Sequence, residues 1–135
     1  MTQVVVPVRY PLSSHSTATL RRAVDLAAEH DADLTVLHVN LYQEGGRVDR
    51  SDLRRAVERE FGTLDRTRYV VRTGFLVEET ILDEVAGERA DFVVIGQKQA
   101  GRWRRALRRL VDDPDIETFL PEKLDYTVVT ASTTA

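Results

Sequence analysis

"VVVPV", residues 4–8, is an almost unbroken run of branched apolar residues, and similar short runs recur along the chain. They are LTVLHV at 34–39, YVV at 69–71 and FVVI at 92–95, while YTVVTA at 126–131 predicts a final strand. Apolar runs without polar alternation are typical of strands that are buried on both faces of a parallel sheet. The sequence therefore predicts five strands.

Three segments between these strands have the periodicity of amphipathic helices, with apolar residues every three or four positions. Ser16 and Ser51 stand at the start of the first two segments, where a hydroxyl can accept from a free amide, so they are the expected N-caps. Gly62 and Gly87 are the expected ends of the second and third helices. The apolar stripes are Leu20, Val24 and Ala27, then Leu53, Val57 and Phe61, then Val77, Ile81 and Val85.

A fourth helix is expected before the last strand, so strands and helices alternate throughout. Short crossovers between parallel strands are right-handed and cover both faces, which predicts an α/β fold with a doubly wound five-stranded parallel sheet and helices on both faces. Ligands bind such sheets beyond the carboxyl ends of the strands, where the winding reverses. This directs attention to the loops that follow residues 8 and 95. The length of 135 residues fits one domain over 1–135, with a frayed tail at 131–135.

Composition limits the classes of function. A hydrophobic content of 42% and a charged content of 30% are ordinary for a soluble globular protein, and no apolar run approaches the length of a membrane helix. The first residues lack a signal-peptide pattern, so a cytoplasmic location is expected. The chain has no cysteine, and His15, His30 and His38 lack the spacing of metal ligands, so no metal site and no cofactor are predicted.

Four segments together carry a resemblance to a known family. VVVPV with its crossover helix, DADLTVLHVN, RYVVRTGFLVEETILDEV and ADFVVIGQ occur in the order and spacing of the universal stress proteins, and the chain resembles that family over residues 4–130. The resemblance implies the strand order 3-2-1-4-5 and, usually, a homodimer that pairs through the last strand. In members that bind ATP it implies an aspartate after the first strand and a later G-x-x-G, nine residues and G-S or G-T.

The chain departs from this ATP motif at most positions. Arg9 stands where the aspartate is expected, and Gly96 matches the first glycine, but the second falls on Gln99. The final glycine-serine pair falls on residues 109–110, or on 112–113 with a small insertion. Glycine lets a backbone amide approach a phosphate closely, so these departures predict that the standard ATP site is largely lost.

If a ligand occupies the switch point, the resemblance places a small set of positions around it. Gly101 could restore part of the turn that Gln99 disrupts. The candidate ligand-binding residues are Arg9, the backbone around Val39, Gly96, Lys98, Gly101 and Arg102.

Six basic residues fall within twelve positions after the fourth strand, and an acidic segment at 112–125 follows them. Arg102, Arg105 and Arg109 lie three and four apart and share one helix face, which is a candidate anion or RNA face. Trp103 belongs to the apolar side and is expected in the core rather than as a platform for a base. The simplest interpretation is that these arginines are solvated or paired with the acidic segment. The alternatives are that these arginines recognise RNA or a small anion.

The remaining polar groups have structural interpretations. His38 lies within an apolar strand and is expected to be a hydrogen-bonded core histidine, and the SSHS loop at 13–16 is expected to cap a helix. Acidic pairs that include Glu78 and Glu84 fall on the polar face of the third helix, where solvation is expected.

These observations predict a non-catalytic universal stress protein-like module that acts in stress response through a protein partner or an anionic ligand other than ATP. The expected assembly is a homodimer through the last strand, and no membrane contact is expected. One alternative is an RNA- or ribosome-associated factor that uses the arginine-rich helix, although a net charge of -3 disfavours nucleic acid. A second is an ATP-binding member with a remodelled phosphate loop. An enzyme of adenylyl chemistry would need the glycine-rich loop that the chain lacks.

Overall fold

The computed structural model describes residues 2–44, 47–96, 101–103, 105 and 127–131. The elements are β1 (Gln3–Pro7), α1 (Ser14–Glu29), β2 (Asp33–Leu41), α2 (Arg50–Phe61), β3 (Thr67–Gly74), α3 (Val77–Glu88), β4 (Phe92–Gly96) and β5 (Thr127–Ala131). Residues 101–103 and 105 are also helical and are called the arginine helix below. Within these ranges, no helix is both long and apolar enough to cross a lipid bilayer.

The five strands form one parallel sheet with the order β3-β2-β1-β4-β5. This confirms the doubly wound fold and the strand order that the resemblance implied. β1 lies at the centre, with β2 on one side and β4 on the other. The winding reverses there, so the carboxyl ends of β1 and β4 form the switch point.

Both faces of the sheet are covered, because successive side chains of a strand point to opposite faces. Val4 and Val6 pack in the core that α1 and α2 cover, whereas Val5 packs in the core that includes α3 and Trp103. The three valines have no exposed surface. Apolar residues at consecutive positions are therefore needed on β1, as the unbroken run in the sequence predicted.

The N-caps of the first two helices lie two or three residues earlier than predicted. Ser13, not Ser16, caps α1, since its backbone is extended and its hydroxyl accepts from the amide of Ser16 at 3.2 Å. Asp49, not Ser51, caps α2: its carboxylate accepts from the amide of Asp52 at 2.8 Å, and the Asp52 carboxylate accepts from the amide of Asp49. A cap needs an extended backbone just before the helix, and that conformation occurs at these earlier positions.

The capping interaction at α2 also affects protonation. The backbone amide of Asp49 and, after it, Arg55 hold the pKa of Asp52 below its ordinary value. A carboxyl whose pKa is lowered by folding stabilises the fold above its unfolded pKa, and this stabilisation is lost as the pH falls through the folded-state value. The contribution is therefore present at neutral pH and disappears in acid.

Of the two predicted helix ends, the end of α2 is confirmed and the end of α3 is wrong. Gly62 ends α2 with a φ of 73°, as predicted. Gly87 does not end α3, which continues to Glu88, and Arg89 adopts the left-handed conformation with a φ of 54°. The amides of Arg89 and Ala90 close the helix by donating to the carbonyls of Ala86 and Val85. Glycine is favoured in this conformation, but a helix end does not require it.

The corrected cap of α2 can be tested with a pair of substitutions. Asp49→Ala is expected to lower the free energy of unfolding by about 1 kcal/mol, because the first turn loses the acceptor for its amide. Ser51→Ala is the matched control and should change it by less than about 0.5 kcal/mol, since Ser51 is exposed. Urea unfolding followed by circular dichroism measures both. A larger loss for Ser51→Ala than for Asp49→Ala would contradict the assignment.

Candidate functional site at the carboxyl edge of the sheet

Strand register places three of the predicted ligand-binding positions at the same edge of the sheet. β1 and β2 pair with Pro7 opposite Leu37, and Arg9 and Val39 each lie two residues further along the chain from this pair. β4 lies on the other side of β1 and ends at Gly96. The Arg9 side chain is exposed, whereas Val39 is partly buried against the core that contains Trp103.

A buried histidine fixes the chain where it leaves β1. The Nδ1 atom of His38 lies 3.1 Å from the carbonyl oxygen of Val8, and only 9% of the histidine surface is exposed. Because a carbonyl only accepts, Nδ1 carries the proton of this hydrogen bond. The ring of Tyr10 packs edge-on against His38 with centroids 6.3 Å apart. His38 is therefore a hydrogen-bonded core histidine, as predicted, and it anchors the loop that carries Arg9.

Gly96 has a packing role that is independent of any ligand. A β-carbon placed on Gly96 would lie 3.3 Å from the hydroxyl oxygen of Thr19 on α1. Thr19 is buried, and its hydroxyl donates to the carbonyl of His15 at 2.8 Å, so it cannot move aside freely. The close approach of α1 to β4 is thus sufficient to explain a glycine here. The identity of this residue alone does not indicate a phosphate site.

The arginine helix is attached to the body of the protein through its tryptophan. Trp103 is 2% exposed and belongs to the same core cluster as Ile81 of α3 and Ile95 of β4. Its expected place in the core is confirmed, so its ring offers no open face to a nucleic-acid base. Arg102 and Arg105 are exposed on this helix. Of the other predicted positions, Gly101 is partly buried within the helix, and Lys98 and Arg109 lie outside the described residues.

Arg102 forms an ion pair with Glu78, which was predicted to be solvated. Its Nε atom lies 3.1 Å from a carboxylate oxygen of Glu78 in the first turn of α3. The Glu78 side chain is only 15% exposed, compared with 49% for Arg102. The arginines were expected to be solvated or paired with the acidic segment at 112–125, which lies outside the described residues. Among the described residues, Arg102 has a partner from the preceding helix.

A second acid of α3 is paired in the same way. Glu84 accepts from the Nε of Arg72 at 2.7 Å and is 10% exposed. The prediction that Glu78 and Glu84 are solvated was therefore wrong. Helical periodicity placed them on the polar side of α3, but that side reaches arginines of β3 and of the arginine helix.

The position of Glu78 could have been found from the order of elements. α3 and the arginine helix both begin after the carboxyl end of a strand, and the carboxyl ends of parallel strands share one edge. A glutamate at the start of α3 and an arginine shortly after β4 are therefore both expected near that edge. Their opposite charges are the sequence signal for this pair.

Metal-binding clusters and surface grooves are two other features that bear on where a ligand could bind. No group of three or more histidines, aspartates and glutamates among the described residues could hold a metal ion. An open groove lies along the first half of α1 and the end of α2, and it includes none of the predicted ligand-binding residues. Its lining is Leu12, Ser13, Ser14, Thr17, Ala18, Arg21, Arg22, Asp25 and Glu60.

The single tryptophan makes the attachment of the arginine helix measurable. We expect Trp103 to emit at short wavelength and to resist acrylamide quenching, because it is 2% exposed. Adding single-stranded RNA should leave its fluorescence unchanged. The control is Phe75→Trp in a Trp103→Phe background, since Phe75 is 71% exposed. Quenching of Trp103 equal to that of the control, or quenching by RNA, would contradict a core position.

Comparison with known proteins adds to this geometry. The family model of the universal stress protein family matches residues 1–112. No curated protein matches the chain in sequence. Among solved structures, the universal stress protein UspA from Lactobacillus plantarum is 19% identical, with a TM-score of 0.62 over 96% of this chain and 97% of that one.

Two further similar structures were solved with nucleotides. One is a universal stress protein family protein from Arabidopsis thaliana with AMP bound, at 19% identity and a TM-score of 0.61 over 100% of this chain and 94% of that one. The other is a universal stress protein from Archaeoglobus fulgidus in complex with dAMP, at 19% identity and a TM-score of 0.58 over 97% and 98%. At this identity the structures show the fold alone. The family match over residues 1–112 of 135 goes further, and the chain belongs to the universal stress protein family.

Proposed function

We propose that this chain is a non-catalytic universal stress protein module in which the standard ATP site has been replaced, and that it acts in stress response through another anionic ligand or a protein partner. The observation that carries the proposal is the ion pair between Arg102, six residues after the end of β4, and Glu78 in the first turn of α3. One of the arginines predicted to bind an anion is therefore already paired with a carboxylate.

The loop after β1 supports the same proposal. The family motif has an aspartate where this chain has Arg9, and Arg9 is exposed two residues beyond the end of β1. A guanidinium donates hydrogen bonds and cannot accept them, so it cannot replace a carboxylate that accepts from a bound ligand. It suits a partner or ligand with a phosphate or carboxylate of its own.

A nucleotide with one phosphate is the second candidate, because the similar structures named above contain AMP and dAMP. A monophosphate needs fewer donors than a triphosphate, and Arg9 alone could supply a bidentate contact.

RNA recognition is less favoured. The burial of Trp103 and the pairing of Arg102 leave fewer groups for it than the sequence suggested.

Calorimetric titration distinguishes these candidates. We expect magnesium ATP to bind more weakly than about 1 mM, and no nucleotide to be released when the purified protein is denatured. AMP binding that weakens at least fivefold in Arg9→Ala, but not in Arg59→Ala, would establish the monophosphate alternative. Arg59 is an exposed arginine near the end of α2 and serves as the matched control.

One result would exclude the favoured proposal, and a different result would exclude RNA recognition. Micromolar binding of magnesium ATP would exclude the favoured proposal and support an ATP-binding member with a remodelled phosphate loop. RNA binding through about five phosphate contacts would require the logarithm of affinity to fall with log salt at a slope near -3.5, and a flat dependence would exclude it.

We also propose that the protein forms a homodimer through β5. This strand lies at one edge of the sheet, so one side of its backbone is a template for pairing, and Val128 is 38% exposed on it. Val128→Lys is expected to convert the dimer to a monomer in size-exclusion chromatography with light scattering. Leu76→Lys, on an apolar residue 46% exposed outside β5, should leave the dimer intact. A wild-type protein that is monomeric at tens of micromolar would refute this assembly.

A further inference from the structure

From the ion pair between Arg102 and Glu78 we infer that Glu78 is a specificity-determining residue, an internal counter-ion that occupies Arg102 and excludes polyphosphate from the carboxyl edge of the sheet. The inference deepens the proposed function and rests on it, because it names the residue that blocks the site. The ligand class that Glu78 excludes is a polyphosphate anion, whether part of a nucleotide or free.

The location of the pair gives the first argument. Glu78 lies in the first turn of α3, and Arg102 lies near the start of the described part of the arginine helix. Both helices follow strands that end at the carboxyl edge. The amino end of a helix attracts anions through its free amides and dipole. Glu78 supplies that negative charge from within the chain.

The difference in burial gives the second argument. Glu78 is 15% exposed and Arg102 is 49% exposed, so the carboxylate is held within the protein while part of the guanidinium faces solvent. Trp103, the next residue, is anchored in the core at 2% exposure, and it fixes the backbone of Arg102 beside α3. The pair is therefore held by packing on both sides. A phosphate reaching Arg102 would meet a fixed negative charge about 3 Å from the guanidinium nitrogen.

The pair between Arg72 and Glu84 provides an internal comparison. Glu84 is on the same helix, is 10% exposed and contacts a guanidinium at 2.7 Å, as Glu78 does at 3.1 Å. Arg72 lies on β3, at the outer edge of the sheet and away from the β1–β4 switch point. Neutralising either glutamate changes the net charge equally, but only Glu78 is paired with an arginine of the segment that follows β4.

A double-mutant cycle tests the inference on the full chain. Affinities for magnesium ATP and for tripolyphosphate are measured by calorimetry for Glu78→Gln, Arg102→Gln and the double variant, with Glu84→Gln as the control. Glu78→Gln is expected to lower the Kd at least about fivefold, while Glu84→Gln stays within about twofold of wild type. In the Arg102→Gln background, the gain from Glu78→Gln should disappear.

The outcomes separate this inference from the proposed function. A gain with both probes shows that Glu78 excludes free polyphosphate, and a gain with ATP alone restricts the exclusion to nucleotides; either result supports the inference. Equal affinities for Glu78→Gln and Glu84→Gln, or a gain that persists without Arg102, would overturn it. Tight ATP binding by the wild-type protein would refute the proposed function and this inference together, whereas weak binding by both the wild type and Glu78→Gln would overturn the inference alone. If circular dichroism shows that Glu78→Gln does not fold, Glu78→Ala takes its place.

Discussion

Burial of β1 on both faces is the constraint on which the other elements depend. Val4, Val5 and Val6 have no exposed surface, and the backbone of β1 is paired with β2 on one side and β4 on the other. A strand in this position needs helices on both faces of the sheet, since neither face can be left to water. The core beneath α1 and α2 and the core that includes α3 and Trp103 meet this need. Because β1 is buried and apolar after its first residue, the next polar side chains lie beyond its carboxyl end, in the loop that follows.

Electrostatics at that edge depend on the amino end of α3, which favours an anion. In this chain the Glu78 carboxylate supplies one, and it is balanced by Arg102. The same edge carries Arg9 in an exposed loop that His38 ties to β2. Exposed positive charge near this edge is thus carried both by Arg9 and by Arg102 and Arg105 of the arginine helix.

Much of the architecture was predictable because it depends on patterns of residue type. Strands buried on both faces show unbroken apolar runs, and the resemblance supplied their order, which the sheet confirms. Cap positions depend on backbone conformation, which residue type alone does not reveal. The sequence therefore predicted caps at Ser16 and Ser51, whereas the structure has them at Ser13 and Asp49. Glu78 was misjudged for a different reason. Helical periodicity separates apolar from polar faces, but it does not say what a polar face will meet.

The packing between α1 and β4 has a consequence for how this sequence can vary among its relatives. A β-carbon at position 96 would lie 3.3 Å from the hydroxyl of Thr19, so a side chain there requires Thr19 to shift by a few tenths of an ångström or to be replaced by a smaller residue. The two positions are far apart along the chain and lie on different elements, yet a larger residue at 96 is favoured by a smaller one at 19. In an alignment of close homologues they should covary by volume, and a glycine retained for this reason would persist in lineages that bind no nucleotide.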